Sequence, residues 1–315
     1  MTRQADFRAI NESKANFDGI YDDADPRPYY RVLGGLDYVI PDLASPLFRQ
    51  LIEARAQRQD RPVTVLDLGC SYGINGALLR FPLKFDTLRR RYMLPEVQAL
   101  SSGTMKALDI AYFRSWPERP RLRIIGLDAS GNAIHYAADV GIIDVGLAED
   151  FEAGTPSERA RHALANVDIV ISTGCVGYVT ARTFKEILAC NRNAEAPWVA
   201  SFVLRMFAYD SIRGTLADFG LGTEKLAGTT FVQRRFRDAG EYEQTLASLE
   251  ARGIDPTGRE EEGLFHAELF VSRPEALIKA TPLPDLVSVV SGRHKGFGRR
   301  YVRVPGRGSR HLLLN

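Results

Sequence analysis

The stretch Val63-Thr-Val-Leu-Asp-Leu-Gly-Cys-Ser-Tyr-Gly-Ile-Asn-Gly76 limits what this chain can fold into more than any other. An apolar run of strand length enters a glycine-punctuated turn, and helix-forming residues follow. Glycine lets the backbone approach a ligand with no Cβ in the way, and a helix N-terminus offers unpaired N–H groups. A strand, tight turn and helix in that order belong to a parallel sheet that opens on a ligand at its carboxyl edge.

The rest of the chain extends that reading. Strands are predicted at Leu122–Asp128, Val145–Leu147, Val167–Ser172 and Trp198–Leu204, with helical segments between them. The last two are almost wholly apolar and β-branched, as strands covered on both faces are. The first clear helix is expected to start at Ser45-Pro46, a cap followed by proline, with Leu47, Phe48, Leu51 and Ile52 on one face. Beyond the fifth strand, a helix from Asp210 stops at Gly220. Two strands, Thr229–Phe236 and Leu264–Ser272, then flank a helix at Glu241–Arg252. The predicted architecture is α/β, a doubly wound, mostly parallel seven-stranded sheet with helices on both faces and an antiparallel last strand.

Composition narrows the class. The chain has 315 residues, 45% of them hydrophobic, with 41 basic against 39 acidic groups. That excludes a disordered chain. No apolar run reaches the length of a membrane span, and Met1–Arg8 has no apolar core of a signal peptide. Cys70, Cys175 and Cys190 are odd in number and widely spaced, so they frame no disulfide set and no metal pair. A cytoplasmic setting follows. Seven basic residues (Arg293, Lys295, Arg299, Arg300, Arg303, Arg307, Arg310) and no acid occupy 286–315, leaving the remainder net acidic. The expected division is a helical lid segment at 1–58, a core at 59–273 with an insertion at 83–119, and a basic tail at 274–315. The aromatics of Asn16–Pro41 (Phe17, Tyr21, Tyr29, Tyr30, Tyr38) and of the insertion suit a lid over the ligand end of the sheet.

Three ligand classes use such a turn. A dinucleotide site wants G-x-G-x-x-G, and here Ser71 and Ile74 stand where the second and third glycines belong. A hydrolase elbow wants G-x-S-x-G, which Gly69-Cys-Ser71-Tyr-Gly73 spells, with His266 and Asp168 nominated as partners. No HGGG-type oxyanion segment accompanies it, and the turn closes the first clear strand, whereas several precede a hydrolase elbow.

The third class accounts for more residues. Asp67-Leu-Gly69-Cys-Ser71-Tyr-Gly73 resembles the first motif of class I (seven-stranded, Rossmann-like) S-adenosylmethionine-dependent methyltransferases, with Ser71 replacing a glycine. Asp128, ending Ile124-Ile-Gly-Leu-Asp128-Ala-Ser130, matches the family's ribose-binding carboxylate, although it stands sixty-one positions from Asp67, farther than is usual. Asp86 is the alternative, but it would leave a first helix of barely two turns. Glu149 and Asp150 match the acidic pair beside the adenine, and Val167–Cys175 the strand that faces the methyl group.

The resemblance implies S-adenosyl-L-methionine as cofactor, held by Tyr30, Asp67, Gly69, Ser71, Gly73, Asp128, Ala129, Ser130, Glu149, Asp150, Ser172 and Thr173. It also implies in-line methyl transfer, driven by positioning and exclusion of water. Cys175 lacks the preceding proline of cytosine C5 methyltransferases, and no Asn/Asp-Pro-Pro-aromatic segment is present. The expected acceptor is therefore a small molecule rather than nucleic acid, with no membrane or metal involved and a homodimer left open. Tyr178 and His266 are the candidate catalytic residues, Glu268 the orienter of His266, and Arg205 with Tyr178 the substrate contacts. Hydrolysis through Ser71, or nucleic-acid methylation or binding through the basic tail, are the alternatives.

Overall fold

The computed structural model describes residues 18–289, together with the backbone of two strands at 301–304 and 310–313. Phe17 and most of the basic tail lie outside the described residues.

The strands are β1 (Val63–Leu68), β2 (Leu122–Asp128), β3 (Val145–Ala148), β4 (Ile169–Thr173) and β5 (Trp198–Leu204). They continue with β6 (Leu221–Lys225), β7 (Thr230–Arg235), β8 (Leu264–Pro274), β9 (Tyr301–Val304) and β10 (Arg310–Leu313). One sheet runs β3-β2-β1-β4-β5-β8, and β7, β9 and β10 follow beyond β8. The first five strands pair in parallel, and β8 inserts antiparallel beside β5, with Val199 opposite Ser272 and Leu204 opposite Ala267. Along the far edge of β8, β6 pairs with its second half and β7 with its first, so the two behave as one broken strand.

The doubly wound, mostly parallel sheet with its antiparallel late strand is thus as predicted. The strand count is not. β6 reads Leu-Gly-Thr-Glu-Lys and carries no apolar alternation, because it is an edge segment with half-exposed side chains. β9, in the expected tail, adds to the sheet by pairing Thr230 with Arg303 and Phe231 with Val302.

Every residue of β1 and of β5 is buried, and both runs are apolar apart from Thr64 and Asp67 in β1 and Ser201 in β5. The helix Ile40–Ala56 lays Leu43, Leu47, Phe48 and Leu51 against that core. It begins at Ile40, not at Ser45. Pro41 offers the same first-turn preference earlier, and the Val39 N–H is held by the Gln233 carbonyl at 2.9 Å. Pro46 therefore falls inside the helix, where it has no N–H to donate to the Asp42 carbonyl.

The insertion consists of helices at Phe85–Tyr92 and Ser102–Arg114 joined by a single turn at Pro95–Gln98. Asp109, wholly buried, accepts from Tyr92 Oη at 2.8 Å and from Tyr136 Oη, and pairs with Arg91. Those bonds pin the insertion to the helix that follows β2. The Arg27 guanidinium, oriented by Asp25, donates to the carbonyls of Val97, Gln98 and Leu100. The N-terminal segment and the insertion form one continuous layer. Among the described residues, no helix is long and apolar enough to cross a membrane.

Candidate functional site

At the carboxyl edge of β1–β4 lies a cavity of about 630 Å³, within the range that holds drug-sized ligands. Its floor is the turn after β1. Gly69, Ser71 and Gly73 all have positive φ (68°, 49° and 76°), so the chain winds left-handed three times within five residues. A Cβ on Gly69 would stand 2.7 Å from Cys175 Cβ, and one on Gly73 would stand 2.6 Å from Ile142 Cγ2. Both glycines are required for space as well as for dihedral angle. Ser71 tolerates its φ because its backbone N–H is held by Asp128 Oδ2 at 2.8 Å.

Asp128 also accepts from the Ser130 N–H through Oδ1 at 3.0 Å. One carboxylate thereby joins the turn after β1 to the helix start after β2. The Ala129 N–H also donates to this carboxylate, which lines the cavity. Burial raises its pKa, opposed by the N–H groups of Ser130, Ser71 and Ala129.

Asp67 has a different station. It is fully buried beneath the turn and does not line the cavity. Its Oδ1 accepts from Asn75 Nδ2 at 3.0 Å, and the same amide reaches Thr173 Oγ1 at 3.1 Å. Burial pushes the Asp67 carboxyl up to about 7, while Asn75 and the Gly76 N–H favour its anion. The chain of contacts continues from Thr173 to the Tyr38 phenol and on to Tyr29. Tyr38 is itself pushed up to about 12 by burial, so it is a neutral hydrogen-bonding group at physiological pH.

The third side of the cavity comes from the N-terminal segment. Tyr72 Oη donates to the carbonyls of Ile20 and Asp23, Ser130 Oγ to the Tyr21 carbonyl, and Asn132 to the Asp22 carbonyl. These four bonds hold residues 20–23 across the two loops that form the floor. Tyr21, Tyr29 and Tyr38 meet edge to face, with centroids 5.7 Å (Tyr21–Tyr29) and 6.4 Å (Tyr29–Tyr38) apart.

Of the residues nominated from sequence, Gly69, Ser71, Asp128, Ala129, Ser130, Glu149, Asp150, Thr173 and Tyr178 line this cavity. Glu149 accepts from Ser157, and Asp150 accepts from the Glu152 and Ala153 N–H groups, so both are also turn formers. Tyr178 stands 41% exposed at the rim.

Gly73, Tyr30, Ser172, Arg205 and His266, like Asp67, lie off the wall. Tyr30 stacks on Tyr92 and Phe85, because consecutive helical residues point about 100° apart and Tyr29 takes the cavity side. Ser172 is buried within β4, opposite Ser201. Arg205 is committed to Glu260 at 2.5 Å and to the Asp255 carbonyl. His266 is buried on β8 with Nδ1 3.1 Å from Thr230 Oγ1, while Glu268 pairs with Lys225, so the two do not form a base and its orienter. Asp168 precedes β4 at the opposite end of the sheet, where Arg61, Arg55, Gln59 and the Thr64 N–H surround it. It cannot serve Ser71.

Sequence reading missed several wall residues. Asn75 gave a signal, a polar residue in the first turn of the helix after the glycines. Gln233 and Arg234 did not, since they follow one another in a strand whose alternation would put them on opposite faces. A register shift between Val232 and Arg235 in the β7–β8 pairing turns both toward the cavity. Arg234 is forked onto Glu241 by bonds of 2.7 and 2.6 Å.

No family model matches this sequence, and no curated protein does. Among solved structures similar to the chain is the plantazolicin methyltransferase BpumL, in complex with a monoazolic desmethylPZN analog and SAH. It is 12% identical, covers 86% of this chain and 98% of its own, and has a TM-score of 0.41. A TehB-like SAM-dependent methyltransferase from Corynebacterium glutamicum is 14% identical over 70% of this chain and 86% of that one, with a TM-score of 0.34. A precorrin-6y C5,15-methyltransferase from Geobacter metallireducens is 11% identical over 72% and 86%, also at 0.34.

Proposed function

We propose that the chain is an S-adenosylmethionine-dependent methyltransferase acting on a small molecule. The observation that carries this is the charge of the wall around Asp128. Asp22, Asp128, Glu149, Asp150 and Glu152 line the cavity, and the only cation lining it among the described residues, Arg234, is neutralised by Glu241. A pyrophosphate would be repelled from such a wall, whereas a ligand bearing a sulfonium and an ammonium is drawn to it. The dinucleotide alternative fails on this ground. The hydrolase alternative lacks a base, since no histidine lines the cavity among the described residues.

The residues fit the cofactor. Asp128, oriented by three backbone N–H groups, lines the cavity as an acceptor for a vicinal diol, and the left-handed Gly69–Gly73 turn leaves backbone open beside it. Phe151 and Asp150, after β3, offer an aromatic face and a carboxylate to a base with an exocyclic amine. When bound, S-adenosylmethionine would supply an electrophilic methyl group. Tyr29, Tyr38, Leu33 and Pro41 then exclude water and fix the acceptor's approach. Tyr21, Tyr29 and Tyr38 all have raised pKa values through burial, so this wall orients the acceptor rather than deprotonating it.

Titration calorimetry with S-adenosylmethionine and S-adenosylhomocysteine tests the reading. Both ligands should give saturable heat, and Asp128→Ala should weaken each by about tenfold or more, the scale of losing hydrogen bonds to a charged group. No heat with the parent protein, or unchanged affinity in Asp128→Ala, would overturn it.

A further inference from the structure

One polar group on the cavity wall has no side-chain partner among the described residues. Gln233 is only 8% exposed, lines the cavity, and makes no side-chain hydrogen bond among the described residues. Its Nε2 lies against the turn after β4, 2.2 Å from where a Cβ on Gly174 would stand, and Gly174 has φ +73°. The register shift in β7 aims this carboxamide inward, and the Val39 N–H clamps its backbone from the N-terminal side. A ligand that covers this carboxamide must offer it a donor and an acceptor or leave it unpaired, at a cost of about 1–3 kcal/mol. A fold that bends a strand to present such a group implies a ligand that pairs with it.

The surroundings restrict that ligand. Tyr29, Tyr38, Leu33, Pro41 and Leu204 give an apolar, ring-lined slot suited to a flat molecule. Charge is balanced there. Arg234, beside Gln233, is already forked onto Glu241, so neither a carboxylate nor a cationic group finds an unneutralised partner in that pair. Given the methyltransferase reading above, on which this rests, the geometry points to an uncharged, planar acceptor presenting adjacent N–H and C=O groups, a cyclic amide, to the Gln233 carboxamide. The cyclic amide donates its N–H to Oε1 and accepts from Nε2, the two-point pairing that a carboxamide makes with its own kind.

The test uses three flat probes of like size, 2-quinolone, quinoline and quinoline-2-carboxylate, titrated into the protein saturated with S-adenosylhomocysteine. 2-Quinolone should bind about tenfold or more tightly than the other two, the worth of two neutral hydrogen bonds. Gln233→Leu should abolish that preference and leave S-adenosylhomocysteine affinity unchanged. Gln233→Met, which keeps the length but removes both the donors and the acceptor, should do the same if the leucine variant fails to fold. Equal binding of the three probes, no binding of any, or a preference that survives in both Gln233→Leu and Gln233→Met would overturn the inference while leaving the cofactor reading intact. Absent S-adenosylhomocysteine heat with 2-quinolone still preferred would overturn the cofactor reading alone.

Discussion

At the scale of single residues, position beneath or on the cavity wall separates two aspartates that look equivalent in sequence. Asp128 reaches the wall and Asp67 does not. Asp67, raised to about 7 by burial, keeps its proton in the fold where the unfolded chain releases it near pH 4. Its contribution therefore favours the fold at acid pH and is lost as pH rises through about 7. Asp67→Asn keeps the acceptor for Asn75 and has no charge to bury. Thermal melts should show the variant gaining on the parent between pH 5 and pH 8; a constant difference would remove the burial argument. Asp128 has the opposite consequence for binding. Its anion accepts from a diol and its raised pKa favours the acid, so S-adenosylhomocysteine affinity should fall on acidification at a higher pH than an ordinary aspartate would give. Residue types were legible here because glycine and aspartate announce themselves beside a strand end. The helical phase that exchanges Tyr29 for Tyr30 was not, because both are tyrosines.

At the scale of elements, the turn after β1 and the inserted helices each depend on one buried feature. Gly73→Ala would place a left-handed Cβ against Ile142 Cγ2, at 2.6 Å, and Ala137 Cβ, at 3.1 Å. The combined dihedral and overpacking cost is about 2–5 kcal/mol, measurable by urea unfolding. Asp109→Ala leaves Arg91, Tyr92 and Tyr136 facing one another without their shared acceptor, a loss of about 3–5 kcal/mol. Limited proteolysis should then nick 83–119 first. Buried strands could be read from composition because both faces are apolar. β6 could not, because an edge strand has one face in solvent and little pattern. The register shift in β7 broke the alternation rule at the point where it mattered most, so Gln233 escaped notice.

At the scale of the whole molecule, the alternation of strands and helices that makes a doubly wound sheet was legible from their spacing, whereas the extension of that sheet by β9 was not. The layer above it was foreseen only as a lid. That it is one body, joined by Arg27 to the insertion and by residues 20–23 to the floor, needed contacts far apart in sequence. A ligand held between these layers should stabilise both together. S-adenosylhomocysteine at a hundred times its Kd should add about 2.7 kcal/mol, seen as a rise in Tm that Asp128→Ala abolishes. The clasp between the two ends of the chamber has a consequence for biosynthesis. The Val39 N–H bonds to the Gln233 carbonyl, and the Arg235 N–H to Leu36, so partners almost two hundred residues apart must meet. A nascent chain that has already exposed its tyrosines outside the ribosome must wait for β7 to emerge before the chamber can close. For most of translation that aromatic face has no native cover, and it is the surface a chaperone would have to shield.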